Sequence, residues 1–341
     1  MAANAFEGAA PPGAITHPPS SNEYLVDRGF RLLAVCGASL IILLVAYILW
    51  KIGGQALPAI YKYHLGFLTS TNWNVAEEKF GILPEIWGTL YSSLMALLIG
   101  GFFGLTVAIF LTQDFLPPRV ALVFRTIIDM LAAIPSVVFG LWGIFVVIPA
   151  IRPIANWLND SLGWFPFFGT SLSGPGLLPA ALVLAIMILP TVAAISQDAL
   201  HLVPYRTKEA AYGMGATRWE AILKVLVPTA AGGIASAMVL GFGRALGETM
   251  ALAMLIGNSN QISLSLFAPA QTLASLLASH FPEAGQTEVQ ALMHAALVLL
   301  AITLVVNMMG TAILSVTQSR ISGDRERAGR SRTHPCGGTN H

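Results

Sequence analysis

Six stretches of this sequence are each long and apolar enough to cross a lipid bilayer as a helix, and that property decides most of what the chain can become. A hydrocarbon core of about 30 Å needs roughly 20 apolar residues in helical form. The stretches are Leu32–Trp50, Ile86–Leu111, Val120–Ala150, Leu177–Ser196, Ala230–Ile256 and Ala291–Val316. The third is the longest and contains Pro135 and Pro149, which predicts a kinked helix or a helix followed by a re-entrant piece. Charged residues make up only 10% of the 341 and hydrophobic residues 55%. Soluble domains carry about 25% charged residues, so a soluble globular enzyme is excluded, and a disordered chain with it. The expected fold class is all-α, a polytopic membrane protein with six transmembrane helices in a lipid bilayer.

Leu32–Trp50 follows Arg28 and Arg31, as the core of a signal peptide would. Its apolar run exceeds the usual roughly 7–15 residues of such a core, so it reads as a true span. Orientation follows from lysine and arginine in the loops. With the N-terminus in the cytoplasm, the inner face holds Arg28, Arg31, Arg119, Arg125, Arg206, Lys208, Arg218, Lys224 and the arginines from Arg320 onward. The outer face holds only Lys51, Lys62, Lys79 and Arg152. Both termini are therefore expected in the cytoplasm. Residues 1–29 read as a disordered cytoplasmic end, 30–318 as the transmembrane domain and 319–341 as a basic cytoplasmic tail. The segments 51–85, 151–176 and 257–290 read as outer loops, with Trp73, Trp87, Trp157 and Trp164 suited to interfacial anchoring.

Much familiar chemistry is missing. None of the lysines follows a glycine, so there is no Gly-x-x-x-x-Gly-Lys-Ser/Thr phosphate loop and no ATP site of that kind. There is no His-Glu-x-x-His pair and no Gly-x-Ser-x-Gly elbow. His201, His280 and His294 are far apart, and Cys36 and Cys336 lie near opposite ends without metal-type spacing. No catalytic residue, metal site or cofactor is expected. A net charge of +1 provides no basic field for nucleic acid.

Two segments stand out from the apolar background. Between the fourth and fifth spans, residues 198–229 are polar. Pro204 can open a short helix through Thr207–Met214, Gly215 can turn the chain, and Thr217 with Glu220 forms a capping-box pattern for a second helix. Pro228 then marks the start of the fifth span. The short helix would lie across the cytoplasmic face, presenting Glu209 among small residues, either as a plain connector or as a piece that seats in a groove of another protein. Within the fifth span, Arg244 lies at hydrocarbon depth, where an unpaired charge costs several kcal/mol. Glu248 is one helical turn on and can neutralise it. Gly243 and Gly247 share that spacing and allow close helix approach. The pair is either a structural salt bridge or part of an anion pathway, since guanidinium matches the oxygens of phosphate or sulfate. Asp129, one turn after Arg125, forms a second candidate pair, with Pro135 and Ser136 beyond it, where freed backbone groups could line a cavity.

The 198–229 loop resembles the EAA motif of ABC importer permeases, matching at Glu209, Ala210, Ala211, Gly215 and Pro228, with Val225 and Val227 where Ile and Leu are usual. The stretch Gly243-Arg244-Ala-Leu-Gly247-Glu248-Thr-Met, together with Ile128-Asp129 through Ile134-Pro135-Ser136 to Gly140-Leu-Trp142, resembles the phosphate-specific ABC importer permeases, and more the PstC-like than the PstA-like subunit. The likeness runs from about residue 25 to 318. It implies a phosphate permease of six helices whose 198–229 loop docks on a separate ATPase. It also implies two copies of that cytoplasmic ATP-binding subunit, a second, PstA-like permease subunit, an external phosphate-binding protein, and residence in a bacterial inner membrane. A sulfate or molybdate permease and an ion-coupled anion carrier remain alternatives.

Overall fold

The computed structural model describes residues 21–113 and 115–330, with side chains for 24–113 and 115–312. The elements in chain order are α1 (Ser21–Tyr63), α2 (Gly66–Thr69), a hairpin of β1 (Trp73–Asn74) and β2 (Lys79–Phe80), and α3 (Leu83–Thr112). Then come α4 (Pro118–Ala133), α5 (Ser136–Trp142), a π-helical segment (Gly143–Val147), α6 (Ile148–Leu162) and α7 (Leu177–His201). The last stretch holds α8 (Tyr205–Gly213), α9 (Arg218–Ala221), a second π segment (Ile222–Leu226), α10 (Val227–Thr229), α11 (Ala231–Leu246), α12 (Met250–Leu255), α13 (Leu273–His280) and α14 (Gln286–Arg330). Two compact units result, residues 1–54 and 55–341. The described part of the first is the leading stretch of α1, an unbroken apolar helix. The bundle belongs to the second.

Among the described residues five helices are long and apolar enough to cross a membrane, and a sixth span results if Arg218–Thr229 and Ala231–Leu246, bent by 70°, count as one. That agrees with the six apolar stretches, but their boundaries differ. Helix α1 begins at Ser21, so residues 21–29 are helical rather than disordered; residues 1–20 lie outside the described residues. Residues 319–330, expected as tail, continue α14 as helix, and 331–341 again lie outside. The third stretch is not one helix. Ile134 is extended (φ −70°, ψ 128°), because the ring of Pro135 crowds the preceding residue out of helical geometry. The apolar span is therefore Ser136–Leu162, and α4 stands apart. The fifth stretch also breaks: α11 stops at Leu246, and residues 247–249 separate it from α12.

Pro149 and Pro228 do not break their helices. Each sits just after a π segment, in which Ile148 N–H bonds Gly143 O and Val227 N–H bonds Ile222 O, five residues back. A proline ring clashes with the carbonyl four residues earlier in a regular helix, and one extra residue in the turn relieves that clash. The chain thus runs through Pro228, expected as the start of a span, and turns at Ala230 instead.

Helix α7 is the centre of the bundle: 61% of its most apolar window is buried, against 17% for that of α14. Small residues bring its neighbours close. A side chain at Gly100 would place its Cβ 2.6 Å from Ala185 O, one at Gly104 3.0 Å from Val192, and one on α11 at Gly241 2.8 Å from Val192. Such close backbone approach is how helices pack where lipid removes the hydrophobic drive.

Residues 257–272, expected as part of an outer loop, fold back into the bundle. Phe267, Ala268, Ala270, Gln271 and Thr272 are buried. Their carbonyls satisfy donors at the start of α7: Leu177 N–H bonds Ala268 O at 3.1 Å and Leu178 N–H bonds Leu266 O at 2.7 Å. The start of α13 is closed by its own Thr272–Ser275 capping box and by Thr89 Oγ1, which accepts from Leu273 N–H at 2.9 Å. Beyond it, Glu288 accepts from Trp73 Nε1 at 3.4 Å and pairs with His280 Nδ1 at 3.0 Å, tying the hairpin, α13 and α14 together.

One turn before Thr89, Glu85 is fully buried and neither carboxylate oxygen has a hydrogen-bond partner. An unsatisfied buried polar group costs about 1–3 kcal/mol. Glu85→Leu, similar in size and apolar, is expected to raise stability by about that amount, read as a higher unfolding midpoint of the detergent-solubilised protein. An unchanged or lower midpoint would show that Glu85 has a stabilising partner.

Candidate functional site

The 198–229 segment folds much as its sequence pattern implies. Pro204 caps α8, with Thr207 N–H on Pro204 O at 2.9 Å. The helix spans Tyr205–Gly213, shifted slightly from the expected 207–214. It ends in a two-bond cap: Gly215 N–H reaches Tyr212 O at 2.9 Å, and Ala216 N–H reaches Ala211 O at 3.1 Å. Gly215 sits at φ +84°, where only glycine is unstrained. Thr217 and Glu220 complete the reciprocal capping box of α9. Ala211 is buried beneath α8, whereas Glu209 and Ala210 are exposed. Leu202 (83%), Tyr205 (69%), Met214 (83%) and Trp219 (52%) are exposed around them. Tyr205, Glu209 and Tyr212 fall on one helical face, so α8 offers a small apolar platform with an acid in its middle.

That platform is braced from the side. Arg218 Nη2 donates to Gln113 O, and its guanidinium lies 4.1 Å from the Phe115 ring centroid. Phe115 in turn stacks near Trp219 at 5.1 Å and on Phe110 at 4.9 Å. The linker from α3 to α4 is thereby fixed to α9. No local sequence pattern marks Phe115, because its partner lies about a hundred positions away.

The charged residues of the membrane segments are arranged differently from expectation. Among the described residues no ion pair joins Arg244 to Glu248 or Arg125 to Asp129. The expected i, i+4 pairing fails because the helix ends between Arg244 and Glu248. Glu248 lies in the break, its N–H on Ala245 O at 3.4 Å, and its carboxylate accepts from Ala251 N–H at the start of α12 at 3.4 Å. Arg244 is exposed on α11. Arg125 donates instead to Gln197 Oε1 on α7 at 3.0 Å, leaving Asp129 exposed on α4. Gly243 does admit a neighbour, since its Cβ position is 3.1 Å from Asn307 Oδ1 of α14. Gly247, expected to do the same, faces open space beyond its own helix.

Helices α5 and α12 follow the two breaks and pack side by side. The Cβ position of Gly140 meets Met254 and Ala251, and that of Gly143 meets Leu255. The two run parallel in this register, so Ser136 at the start of α5 and Glu248 at the start of α12 stand at the same end of the pair. Pro135 creates the first break and the 247–249 turn the second. The structure brings Ser136, Glu248 and Arg244 to one region and joins Asp129 to none of them by a contact.

Residues 100–322 match the family described as the binding-protein-dependent transport system inner membrane component, and the chain belongs to that family, a class of membrane transport components. Solved relatives share the fold. A bacterial alginate ABC transporter is similar at a TM-score of 0.58 and 16% identity, over 84% of this chain and 94% of that one. The MetNI methionine ABC transporter is similar at 0.51 and 22%, over 69% and 95%. Within the class, the sequence is most informative about a narrower group. It is 38% identical over 305 residues to the phosphate transport system permease protein PstC of Haemophilus influenzae, covering 87% of this chain and 96% of that protein. It is 35% identical over 301 residues to the probable phosphate transport system permease protein PstC of Methanocaldococcus jannaschii, covering 86% and 95%.

The two caps of α8 and α9 hold the platform in shape. Thr217→Ala is expected to lose about 1 kcal/mol, and Gly215→Val a similar amount through left-handed strain. Both should speed proteolytic cleavage within 202–219 while leaving cleavage of the 73–80 hairpin unchanged. Equal cleavage rates in wild type and both variants would show that the caps do not order this surface.

Proposed function

We propose that this chain is a permease subunit of an ATP-driven importer for inorganic phosphate, forming half of the translocation path. The names of its relatives support the substrate, and the family description supports transport in an inner membrane with a separate binding protein. The observation that carries the path is Arg244. It stands about 20 Å along α11 from Ala231, on a face left uncovered among the described residues, three residues before the helix breaks. A guanidinium supplies a planar fork of donors that fits two oxygens of a tetrahedral oxyanion. Glu248, held by the start of α12, keeps a negative charge close enough to weaken anion binding, and a path must release what it admits. Ser136, at the same end of the parallel α5–α12 pair, adds a hydroxyl to that region.

The second permease subunit, PstA-like, covers the open faces of α11 and α14 and supplies the other half of the path. An external phosphate-binding protein delivers the anion at the end marked by the 73–80 hairpin. The opposite end, with α8, faces the cytoplasm, where α8 seats on one of two copies of an ATP-binding subunit; the lysine and arginine bias of the loops supports cytoplasmic termini as well. Residues 1–341 contain no phosphate loop of their own, so hydrolysis takes place on that partner. ATP-driven closure of the partner pushes on α8, and the caps at Gly215 and Thr217 pass the push to the bent rod that leads into α11.

Two variants test this reading in liposomes containing all subunits. Glu209→Lys places a like charge where the platform meets its partner's basic groups and is expected to lower ATP-driven phosphate uptake by about tenfold or more, with membrane insertion retained. Normal coupled uptake would remove α8 from the coupling role. Arg244→Gln is expected to lower uptake by roughly 10- to 100-fold, the rate equivalent of a lost charged hydrogen bond. Unchanged uptake with a lowered melting temperature would make Arg244 a structural residue.

A further inference from the structure

Helix α14 carries three polar side chains between residues 303 and 311, and they are handled in two ways. Thr303 Oγ1 donates to Leu299 O at 2.7 Å, and Thr311 Oγ1 donates to Asn307 O at 3.1 Å. Both hydroxyls are satisfied within their own helix, which is why threonine is tolerated in a membrane span. The carboxamide of Asn307 is exposed and makes no hydrogen bond among the described residues. It lies against α11 at one defined place, with Oδ1 3.1 Å and Nδ2 3.6 Å from the Cβ position of Gly243. Gly243 is the residue before Arg244.

The geometry of α11 relates the two polar groups. Ser236, Leu240 and Arg244 are its exposed residues and form one stripe at helical spacing, which Gly247 continues just past its end. Gly243 borders that stripe on the α14 side. Asn307 therefore edges the same uncovered face from which Arg244 projects. An unpartnered carboxamide is strongly disfavoured in hydrocarbon, so this face is covered by something polar when the protein works.

We infer that Asn307 is a second anion contact of the path, a neutral partner to Arg244; this rests on the reading of Arg244 as the anion site. The chemistry of the two groups is complementary. Arginine can only donate. Inorganic phosphate near neutral pH carries at least one P–OH, which needs an acceptor as well as donors around it. A carboxamide has both, with Oδ1 to accept from P–OH and Nδ2–H to donate to a P–O oxygen. Asn307 thus adds the half of the recognition that Arg244 cannot provide, without adding charge that would hold the anion in place.

The test uses the complete transporter in liposomes, with radiolabelled inorganic phosphate outside and ATP inside, and measures maximal uptake rate, KM and ATP hydrolysis together. Asn307→Leu is expected to lower the maximal rate by about tenfold, with KM unchanged because the external binding protein sets it, and with ATP hydrolysis retained. Asn307→Asp, almost identical in size, keeps an acceptor, loses the donor and adds a negative charge. Its uptake should fall further, again with hydrolysis retained, and it decides the matter if the leucine variant fails to assemble. Asn307→Gln, which keeps the carboxamide, should recover part of the rate. Unchanged uptake in the leucine and aspartate variants overturns the inference. So does a parallel loss of uptake and hydrolysis, or loss of the second permease subunit on purification, since either makes Asn307 a packing residue. If Arg244→Gln itself transports normally, the underlying reading of the path fails, whatever Asn307 does.

Discussion

Backbone N–H and C=O groups have no water to bond inside a bilayer, so each interruption of a helix there has to be met by some other part of the protein. This chain interrupts its helices at 134–135 and 247–249 and folds 257–272 back among them. The break at 247–249 and the segment 257–272 are accommodated by specific neighbours. The carbonyls of Leu266 and Ala268 close the start of α7, Thr89 closes the start of α13, and Glu248 closes the start of α12. Helix α7 makes this possible by being central and by accepting α3 and α11 at glycine distance. A rigid middle of that kind permits broken helices at its side, and the broken helices carry the polar side chains.

The two prolines tolerated by π segments show the same economy. Pro149 and Pro228 each follow a widened turn, so the chain continues without leaving a gap in the ladder. Pro135 lacks such a turn before it and ends α4 outright. Pro58, Pro153 and Pro190 lie inside regular helix without such a turn, so the residue alone does not decide the outcome; at Pro135 the extended Ile134 separates α4 from Ser136–Leu162.

The parts legible in the sequence were those governed by near neighbours. Apolar runs of about 20 residues become helices, Pro204 opens α8, Gly215 takes the left-handed turn, and Thr217 pairs with Glu220, because each of these depends on spacings of a few residues. The break at 247–249 was not legible: it contains no proline, and the apolar stretch resumes beyond Glu248, so Arg244 and Glu248 read as two charges on one continuous helix. The inward path of 257–272, the burial of Glu85, the Arg125–Gln197 bond and the seat of Asn307 against Gly243 all depend on partners many positions away. At the candidate site the residue types were read from the sequence, whereas their pairing was not: the i, i+4 relation between Arg244 and Glu248 presumed a continuous helix that the fold does not provide.

The 70° angle at Ala230 has a mechanical meaning. A helix is stiff along its axis and yields more readily to tilting. Two stiff rods joined at a steep elbow act as a crank: a thrust along Arg218–Thr229 reaches Ala231–Leu246 mostly sideways, swinging the second rod about its joint rather than driving it through the membrane. A small stroke at the braced end near Phe115 and Trp219 would thus become lateral travel, greatest at the far end of α11, where Gly243, Arg244 and the break lie.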